Sequence, residues 1–505
     1  MPDLVLTGED LGIPDVVAAA ATPGFPASIA EDARHRMDES RRVVERAVAE
    51  GRVVYGVTTG FGRFADIAVP AADRLKLQQN LIRSHAAGVG PPLPAPIVRA
   101  MMLLRANALV KGFSGVRPVL VEHLLELLRR DVIPVIPRWG SVGASGDLAP
   151  LAHLALVLTG EGEAWVGGRL LPGGEALQAA GLSPIALEAK EGLALINGTQ
   201  MMTAHGALAI HEAAFLADFA DLTAALTVEV LRGIPDAFRV EVAAVRPHPG
   251  HVVSAAHLRE ALRGSRLTTR PGQVRVQDAY SLRCAPQIHG ASRDALLHVS
   301  EVVSRELNSA TDNPLIFPAD DAAVSAGNFH GEPLALTLDY LAMALAEWAS
   351  VSERRSERMV NPALSGLPAF LVTDGGLRSG LMLAQYTAAA LVSYNKVLAH
   401  PASVDSIPTS ANQEDHVSMG SISALKLMDV LAHVERVLAV EAMLGAQAAD
   451  LVGPDRLAPG THSLYEWVRG YVAPWEEDRP LGPDIERLAV ALSDEPPAMP
   501  WEVRS

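Results

Sequence analysis

The segment Ala144-Ser145-Gly146 could carry out chemistry on its own backbone. If the chain bends sharply there, the Gly146 amide nitrogen, which has no side chain beside it, can approach the Ala144 carbonyl carbon and close a five-membered ring. Loss of two waters, one of them containing the Ser145 hydroxyl, would then leave an exocyclic methylene. The product, a methylidene-imidazolone, is a strong electrophile of a kind that no ordinary side chain supplies.

The tripeptide alone does not establish this chemistry, since about one chain in four of this length would contain it by chance. The ordinary alternative is a turn that begins a helix, with Ser145 or Asp147 as the cap and Pro150 in the first turn. The apolar run 148–158 fits such a helix. Residues elsewhere in the chain must therefore decide between the two interpretations.

Three further segments carry polar groups at places where a ligand could bind. Tyr55 begins the glycine-rich segment 55–62, and a mobile loop could present its phenol as a proton acceptor if the phenol pKa is lowered. A structural turn with a packed tyrosine is the alternative. His85 is predicted to end one helix and Asn197 to precede another, so both could simply be helix caps.

The second half of the chain contains three more candidate segments. Tyr280 and Arg283 are three residues apart, so one helical turn would aim both the same way, and an arginine suits a substrate carboxylate. A surface arginine beside a packed tyrosine is the alternative. Phe329 lies in a flexible turn, and the dense polar run 410–416 precedes a buried-looking helix. Six polar residues in that position favour a functional site over a simple helix cap.

Composition limits the possible partners. The formal charge of -16 argues against nucleic acid or an anionic membrane, both of which reward clustered lysine and arginine. A single cysteine excludes an intrachain disulfide and, with no secretory signal pattern at the N-terminus, favours a cytoplasmic protein. Because no metal-binding motif is present, no metal is predicted.

The elements that must position these residues are predicted to be helices. The chain is 49% hydrophobic but only 5% aromatic, which suits packed leucine and alanine helices. The predicted class is all-α, an elongated bundle of long helices with a smaller loop-rich N-terminal region. We expect residues 1–200 to form that region, with the Ala-Ser-Gly segment, and 201–505 to form the bundle. Helices apolar on most sides favour an oligomer. The predicted helices are 30–49, 73–85, 96–109, 118–130, 148–158, 201–231, 286–309, 333–359, 380–399, 419–452 and 484–493.

These motifs, in this order and at these spacings, closely resemble the aromatic amino acid ammonia-lyases. The markers are 55–62, 84–88, 140–150, 197–200, 277–284, 313–315, 328–330 and 403–419, so the resemblance covers nearly the whole chain. It implies that Ala144, Ser145 and Gly146 become a methylidene-imidazolone cofactor. It also implies a homotetramer with active sites assembled from more than one subunit. The implied reaction eliminates ammonia from an α-amino acid to give an unsaturated acid.

The resemblance also implies roles for individual residues. Tyr55 is the expected base that removes the β-proton, with Tyr280 as its nearest rival. Arg283 would hold the substrate carboxylate with help from Asn197. Glu414 is expected among the catalytic residues, and the cofactor pocket and its supporting network would be completed by Gln277, Phe329 and Gln413.

Two positions bear on the substrate ring. Relatives acting on phenylalanine or tyrosine commonly have Phe-Leu or His-Leu where this chain has Ser84-His85, and Asn-Gln-Asp where it has 412–415. A histidine and a glutamate facing the ring suit an imidazole, which offers both a donor and an acceptor nitrogen. A carbocyclic ring would leave His85 and Glu414 unpaired. The favoured reaction is therefore elimination of ammonia from L-histidine to give trans-urocanate.

Two alternatives stay open, and two residues depart from the pattern. The chain could instead be a lyase or 2,3-aminomutase acting on phenylalanine or tyrosine, or a tetrameric scaffold without activity. Thr58 stands where the histidine-specific relatives usually have asparagine. Ala279 replaces the usual proline before Tyr280. Both departures could change the mobility of their loops.

Overall fold

Helices make up most of the protein, which confirms the all-α class. A computed structural model describes residues 3–502. Within that range, 19 α-helices lie at Ile13–Ala21, Glu31–Ala49, Arg74–His85, Ala95–Val110, Pro118–Arg129, Leu148–Leu158, Gly173–Ala179, Glu191–Ile196, Gln200–Val230, Val240–Ala244, Pro249–Ala261, Tyr280–Arg283, Ala285–Glu306, Glu332–Val360, Pro362–Ser365, Met382–Leu398, Gly420–Val452, Pro459–Tyr471 and Gly482–Asp494. Every helix predicted from sequence periodicity is present, with bounds that differ by at most three residues.

The strands are short and pair only locally. Leu4–Leu6 pairs with Ala27–Ile29 in parallel. The other pairings are antiparallel: Val89–Pro92 with Pro137–Trp139, Ile133–Pro134 with Glu163–Val166, Glu163–Val166 with Arg169–Pro172, and Leu315–Phe317 with Ala322–Val324. The glycine-rich segment 55–62 forms turns, with an isolated antiparallel bridge from Thr59 to Ala68.

The chain folds as two compact units that interleave along the sequence. The first unit contains Met1–His211, Ser300–Asp339 and Pro401–Leu425, and the second contains Glu212–Val299, Tyr340–His400 and Lys426–Ser505. All the strands of the described chain lie in the first unit. The separate expectation of a loop-rich region over 1–200 and a bundle over 201–505 stays a prediction.

Three helices of the first unit bring the candidate residues together. Arg74–His85, Leu148–Leu158 and Glu191–Ile196 contact one another. His85 is the last residue of the first of these helices, and the Ala-Ser-Gly segment precedes the second. Asn197 follows the third directly. The packing of these three helices therefore brings together three segments that are far apart in the sequence.

Asp147 links the Ala-Ser-Gly segment to the start of a long helix. Its carboxylate accepts hydrogen bonds from the backbone N–H groups of Met201 and Met202, at 2.9 and 3.0 Å, and from the Ser421 hydroxyl at 3.0 Å. Burial raises the pKa of Asp147 to about 7, and these donors oppose that rise. The cap of helix Gln200–Val230 therefore comes from Asp147 rather than from Asn197, which sequence alone had left as a candidate cap.

The second unit contains a fully buried ion pair. Arg355 and Glu441 are both 0% exposed and are joined by two hydrogen bonds of 2.5 and 2.8 Å. The Thr227 hydroxyl donates to the same carboxylate at 2.7 Å. Because both charges are desolvated, each depends on the other for compensation.

We expect Glu441→Gln to lower the thermal unfolding midpoint of the protein. The substitution removes the negative charge and leaves Arg355 buried without compensation, at a cost of about 3–5 kcal/mol. Differential scanning calorimetry measures the change. The matched control is the double variant Arg355→Met with Glu441→Leu, which removes both charges and should be less harmful than the single variant. A single variant as stable as the parent protein would contradict this account of the pair.

One described helix, Glu332–Val360, is long and apolar enough by length and composition to cross a membrane. However, 61% of its most apolar window is buried within the protein. A core helix passes the same test, and its burial indicates that role here.

Candidate active site

A cavity of about 1220 Å³ in the first unit collects most of the predicted site residues. Seven of the twelve line it, namely Tyr55, His85, Ser145, Asn197, Phe329, Gln413 and Glu414. Ala144 and Gly146 flank Ser145 and are themselves buried. The residues come from helix ends and loops separated by up to several hundred positions, so the fold rather than local sequence brings them together.

Ser145 is held from two sides. Its hydroxyl donates to Glu414 Oε1 at 3.2 Å, and its carbonyl oxygen accepts a hydrogen bond from the Asn197 amide Nδ2 at 3.1 Å. Gly146, at φ +77°, lies directly against Gly198, and a Cβ at Gly146 would come within 2.1 Å of the Gly198 carbonyl oxygen. Gly146 thus has a left-handed backbone and a close approach that favour glycine, and the surrounding residues fit a methylidene-imidazolone.

Tyr55 lies in the loop expected from its glycines. Its phenol oxygen accepts a hydrogen bond from the Gly62 N–H at 3.1 Å, and its ring packs edge-on against Phe61 at 6.3 Å between centroids. Gly62 has φ +52°, and a Cβ there would meet the Ser410 hydroxyl oxygen at 2.4 Å. Burial raises the pKa of Tyr55, the Gly62 N–H opposes the rise, and the nearby Glu414 charge adds to it. The net shift of the Tyr55 pKa is therefore upward, opposite to the lowering that would suit a base.

His85 lines the cavity, and its hydrogen bond to the backbone shows which ring nitrogen can accept. Its Nδ1 lies 2.9 Å from the Leu81 carbonyl oxygen, which can only accept, so Nδ1 carries the hydrogen and Nε2 is left with a lone pair. Burial lowers the pKa of His85, more strongly than the hydrogen bond to Leu81 and the charge of Glu414 raise it. The His85 side chain is therefore a neutral imidazole whose Nε2 can accept a hydrogen bond.

Glu414 is positioned by a strained loop. The Thr409 hydroxyl donates to Glu414 Oε2 at 2.5 Å, and the backbones of the two residues are paired. Ser410, Ala411 and Asn412 have φ of 50°, 52° and 66°, three successive non-glycine residues in the left-handed region. Such conformations cost about 1–3 kcal/mol each and cluster at functional sites. Sequence reasoning identified the polar run but had no signal for this backbone.

The remaining three predicted residues lie in the second unit. Tyr280 and Arg283 form the predicted helical turn, with the guanidinium 4.6 Å from the ring centroid. Arg283 Nε also donates to the Asp278 carbonyl oxygen at 2.8 Å. Tyr280 and Gln277 are exposed, and none of the three lines the cavity of the first unit.

The two departures from the family pattern have local explanations. The Thr58 hydroxyl donates to the Arg52 carbonyl oxygen at 2.7 Å and accepts from the Val54 N–H at 2.9 Å, which ties the base of the Tyr55 loop. Ala279 has φ -62°, the value that a proline ring would impose. Ala279 therefore keeps the backbone that proline would favour, and Thr58 is held by hydrogen bonds within its own loop.

Two groups of side chains in the described chain are close enough to consider for a metal ion, one in each unit. They are His330, Glu332 and His416, and Asp218, Asp221 and His257. In the second group, Arg293 Nη2 donates to both aspartates at 2.7 and 2.6 Å. In the first, His330 Nδ1 accepts from the Glu332 N–H and Nε2 donates to the His416 carbonyl oxygen. Interactions within the protein thus engage both aspartates of the second group, whereas in the first they engage the His330 ring and leave Glu332 Oε2 without a hydrogen-bond partner among the described residues.

Comparison with known proteins agrees with this geometry. The family described as aromatic amino acid lyase matches residues 11–470. The chain belongs to this family. Histidine ammonia-lyase from Symbiobacterium thermophilum is 56% identical over 487 residues, which are 96% of this chain and 96% of that protein. Aromatic amino acid lyases use a methylidene-imidazolone electrophile.

Solved structures with different activities share the backbone. Histidine ammonia-lyase from Trypanosoma cruzi is 44% identical and superposes with a TM-score of 0.90, covering 98% of this chain and 94% of that one. Tyrosine aminomutase from Streptomyces globisporus is 39% identical with a TM-score of 0.94, covering 98% and 97%. The aromatic amino acid lyase backbone therefore accommodates both outcomes, and side chains must determine substrate and product.

Proposed function

We propose that this protein eliminates ammonia from L-histidine to give trans-urocanate. The observation that carries the proposal is the contact between the Ser145 hydroxyl and Glu414 in a cavity that Tyr55 and His85 also line. A cofactor precursor, a candidate base and two imidazole-binding groups thus share one site. The identity of 56% to a named histidine ammonia-lyase supports the same substrate.

Ala144, Ser145 and Gly146 would form the methylidene-imidazolone, which supplies the electrophile that makes the amine a better leaving group. The chain's own side chains then position the substrate and move its proton. Tyr55 Oη takes the β-proton, which is too weakly acidic to leave unaided. The Asn197 amide fixes the Ser145 carbonyl and so the orientation of the cofactor segment.

Recognition of the ring rests on two acceptors. The Glu414 carboxylate and His85 Nε2 both accept hydrogen bonds, so either suits the N–H group of the substrate's imidazole ring. A phenyl ring would leave both acceptors desolvated and unpaired, which costs affinity. This difference favours histidine over phenylalanine in this cavity. Phe329 and Gln413 complete the lining of the same cavity.

Incubation of the purified protein with L-histidine, L-tyrosine and L-phenylalanine in parallel, with identification of each product, tests the proposal. We expect urocanate and ammonia from L-histidine and little product from the other two. A β-amino acid product would identify an aminomutase, and cinnamate or coumarate alone would identify the other lyases. No product from any of the three would favour a scaffold without activity.

We expect His85→Phe to lower kcat/KM for L-histidine by about 10–100-fold, because a ring nitrogen loses its partner and Glu414 must hold the imidazole alone. The rate with L-phenylalanine relative to L-histidine should rise. Steady-state kinetics with both substrates measures this. His35→Phe is the control, since His35 is exposed on helix Glu31–Ala49 and does not line the cavity. Equal losses for the two substrates would contradict a role in ring recognition.

We further propose a homotetramer in which another subunit completes the site. Helix Met382–Leu398 exposes a stripe of large apolar side chains at helical spacing: Leu383, Tyr386, Tyr394 and Val397. Burial of such a stripe against a second copy would be favourable. Arg283, Tyr280 and Gln277 would then reach a cavity in a neighbouring subunit, where Arg283 would bind the substrate carboxylate. Light scattering measures the assembly.

The cellular setting follows from the composition. We propose a cytoplasmic enzyme that takes a small amino acid, with no nucleic acid or membrane as partner and no metal required. The single cysteine, Cys284, is free, and the formal charge is -16.

A further inference from the structure

Arg105 lies fully buried behind the candidate site without a carboxylate of its own. From helix Ala95–Val110, its Nη1 donates to the Asn197 carbonyl oxygen at 2.9 Å and to Gln200 Oε1 at 2.8 Å. Its Nε and Nη2 are buried and have no hydrogen-bond partner among the described residues. Asp312, the acid whose charge acts on Arg105, is already bonded to Lys190 at 2.6 Å. A buried cation in such a place is costly unless it serves another purpose.

The Arg105 guanidinium packs closely against the turn at 197–200. A Cβ at Gly198 would lie 2.2 Å from Arg105 Nη1 and 2.5 Å from Gln200 Oε1, so a side chain there would displace both groups. Gln200 in turn donates from Nε2 to the Thr311 hydroxyl at 2.9 Å. Arg105 therefore packs against the backbone of this turn and joins its first and last residues.

The same turn holds the Ala-Ser-Gly segment in place. The Asp147 N–H donates to the Gly198 carbonyl oxygen at 2.6 Å, and the Asn197 amide donates to the Ser145 carbonyl oxygen at 3.1 Å. Gly146 pairs directly with Gly198. Every one of these contacts involves a residue that Arg105 binds or touches.

We propose that Arg105 is a positioning residue for the cyclisation of Ala144-Ser145-Gly146. The inference rests on the proposed function. In the first step the Gly146 nitrogen bonds to the Ala144 carbonyl carbon. The Ala144 oxygen leaves as water with the hydrogens of the Gly146 and Ser145 nitrogens. In the second step the Ser145 hydroxyl leaves as water with the Ser145 Cα hydrogen, and the exocyclic methylene forms.

Arg105 acts on the first of these steps by fixing the backbone. Ring closure needs the Gly146 nitrogen held near the Ala144 carbonyl carbon, and a misplacement of about 1 Å can cost about 10²-fold in rate. Without the guanidinium, the turn at Gly198 loses the group that its backbone packs against. Gly146 then loses the surface that keeps it bent.

The test is the fraction of purified, folded chains whose intact mass is lower by two waters. We expect Arg105→Met to reduce this fraction, or the rate at which it appears after synthesis, at least about tenfold. Arg105→Lys keeps the charge but not the planar fork, so we expect an intermediate fraction. If Arg105→Met does not fold, the Lys variant decides by the same measurement.

Arg99→Met provides the matched control. Arg99 is a buried arginine on the same helix, bonded to Asp131 at 2.7 Å and to the Ala20 carbonyl oxygen at 3.1 Å. A purely structural role for Arg105 would lower the unfolding midpoint of both variants and leave both chains cyclised. Full cyclisation in the Arg105 variants would overturn the proposal. A parent protein without the two-water deficit would instead overturn the proposed function.

Discussion

Ser145→Ala should lower kcat with L-histidine by at least about 10³-fold, because this one hydroxyl leaves to form the exocyclic methylene. The variant cannot lose the second water, so the electrophile cannot form. The unfolding midpoint should change little, since the only side-chain hydrogen bond that is lost is the one to Glu414, at 3.2 Å. Steady-state kinetics and calorimetry on the same preparation measure both effects.

The matched control for this variant is Ser309→Ala. Among the described residues, the Ser309 hydroxyl bonds only to the Arg305 backbone, at 2.8 Å, so its loss should leave the activity unchanged. Near-normal turnover by Ser145→Ala would mean that the reaction does not use an electrophile made from this segment.

Tyr55→Phe should lower kcat/KM by about 10²–10⁴-fold, the usual contribution of a positioned general base. Burial raises the pKa of Tyr55, so the phenol is mostly protonated at pH 7 and its reactive, ionised fraction grows with pH. We therefore expect kcat/KM of the parent protein to rise from pH 7 to pH 9. Tyr55→Phe should remove that rise, and pH-dependent kinetics of both proteins measures it.

Two companion variants make the second prediction specific. Tyr280→Phe tests the rival base, because Tyr280 is 69% exposed and, in the tetramer that we propose, would reach the cavity of another subunit. Tyr471→Phe is a control, since the Tyr471 hydroxyl donates to Glu495 at 2.6 Å on the surface and Tyr471 belongs to no proposed site or interface. A larger loss and a flattened pH profile in Tyr280→Phe would transfer the role of base to that residue.

Much of the fold could be predicted because the local signals agree with the packing. The long apolar patterns became helices within a few residues of their expected ends, as at Gly420–Val452 and Glu332–Val360. Glycine, proline and capping residues mark such ends in the sequence itself. Segment 55–62 was ambiguous because a glycine-rich stretch fits both a mobile loop and a structural turn.

The site was only partly predictable because its geometry depends on long-range contacts. His85 and Glu414 were named from chemistry, yet nothing local shows that both line one cavity with Ser145. The cap that Asp147 provides to Met201 joins segments more than fifty residues apart. The role of Arg105 had no sequence signal, since a buried arginine in an apolar helix resembles any other arginine.

The intact mass of the purified chain tests the central claim most directly. We expect a mass lower than that of the 505-residue sequence by two waters, with the deficit confined to the peptide that contains Ala144, Ser145 and Gly146. Ser145→Ala should lack the deficit of the second water. A parent chain with the full mass of its sequence would contradict the account, because no electrophile would then have formed.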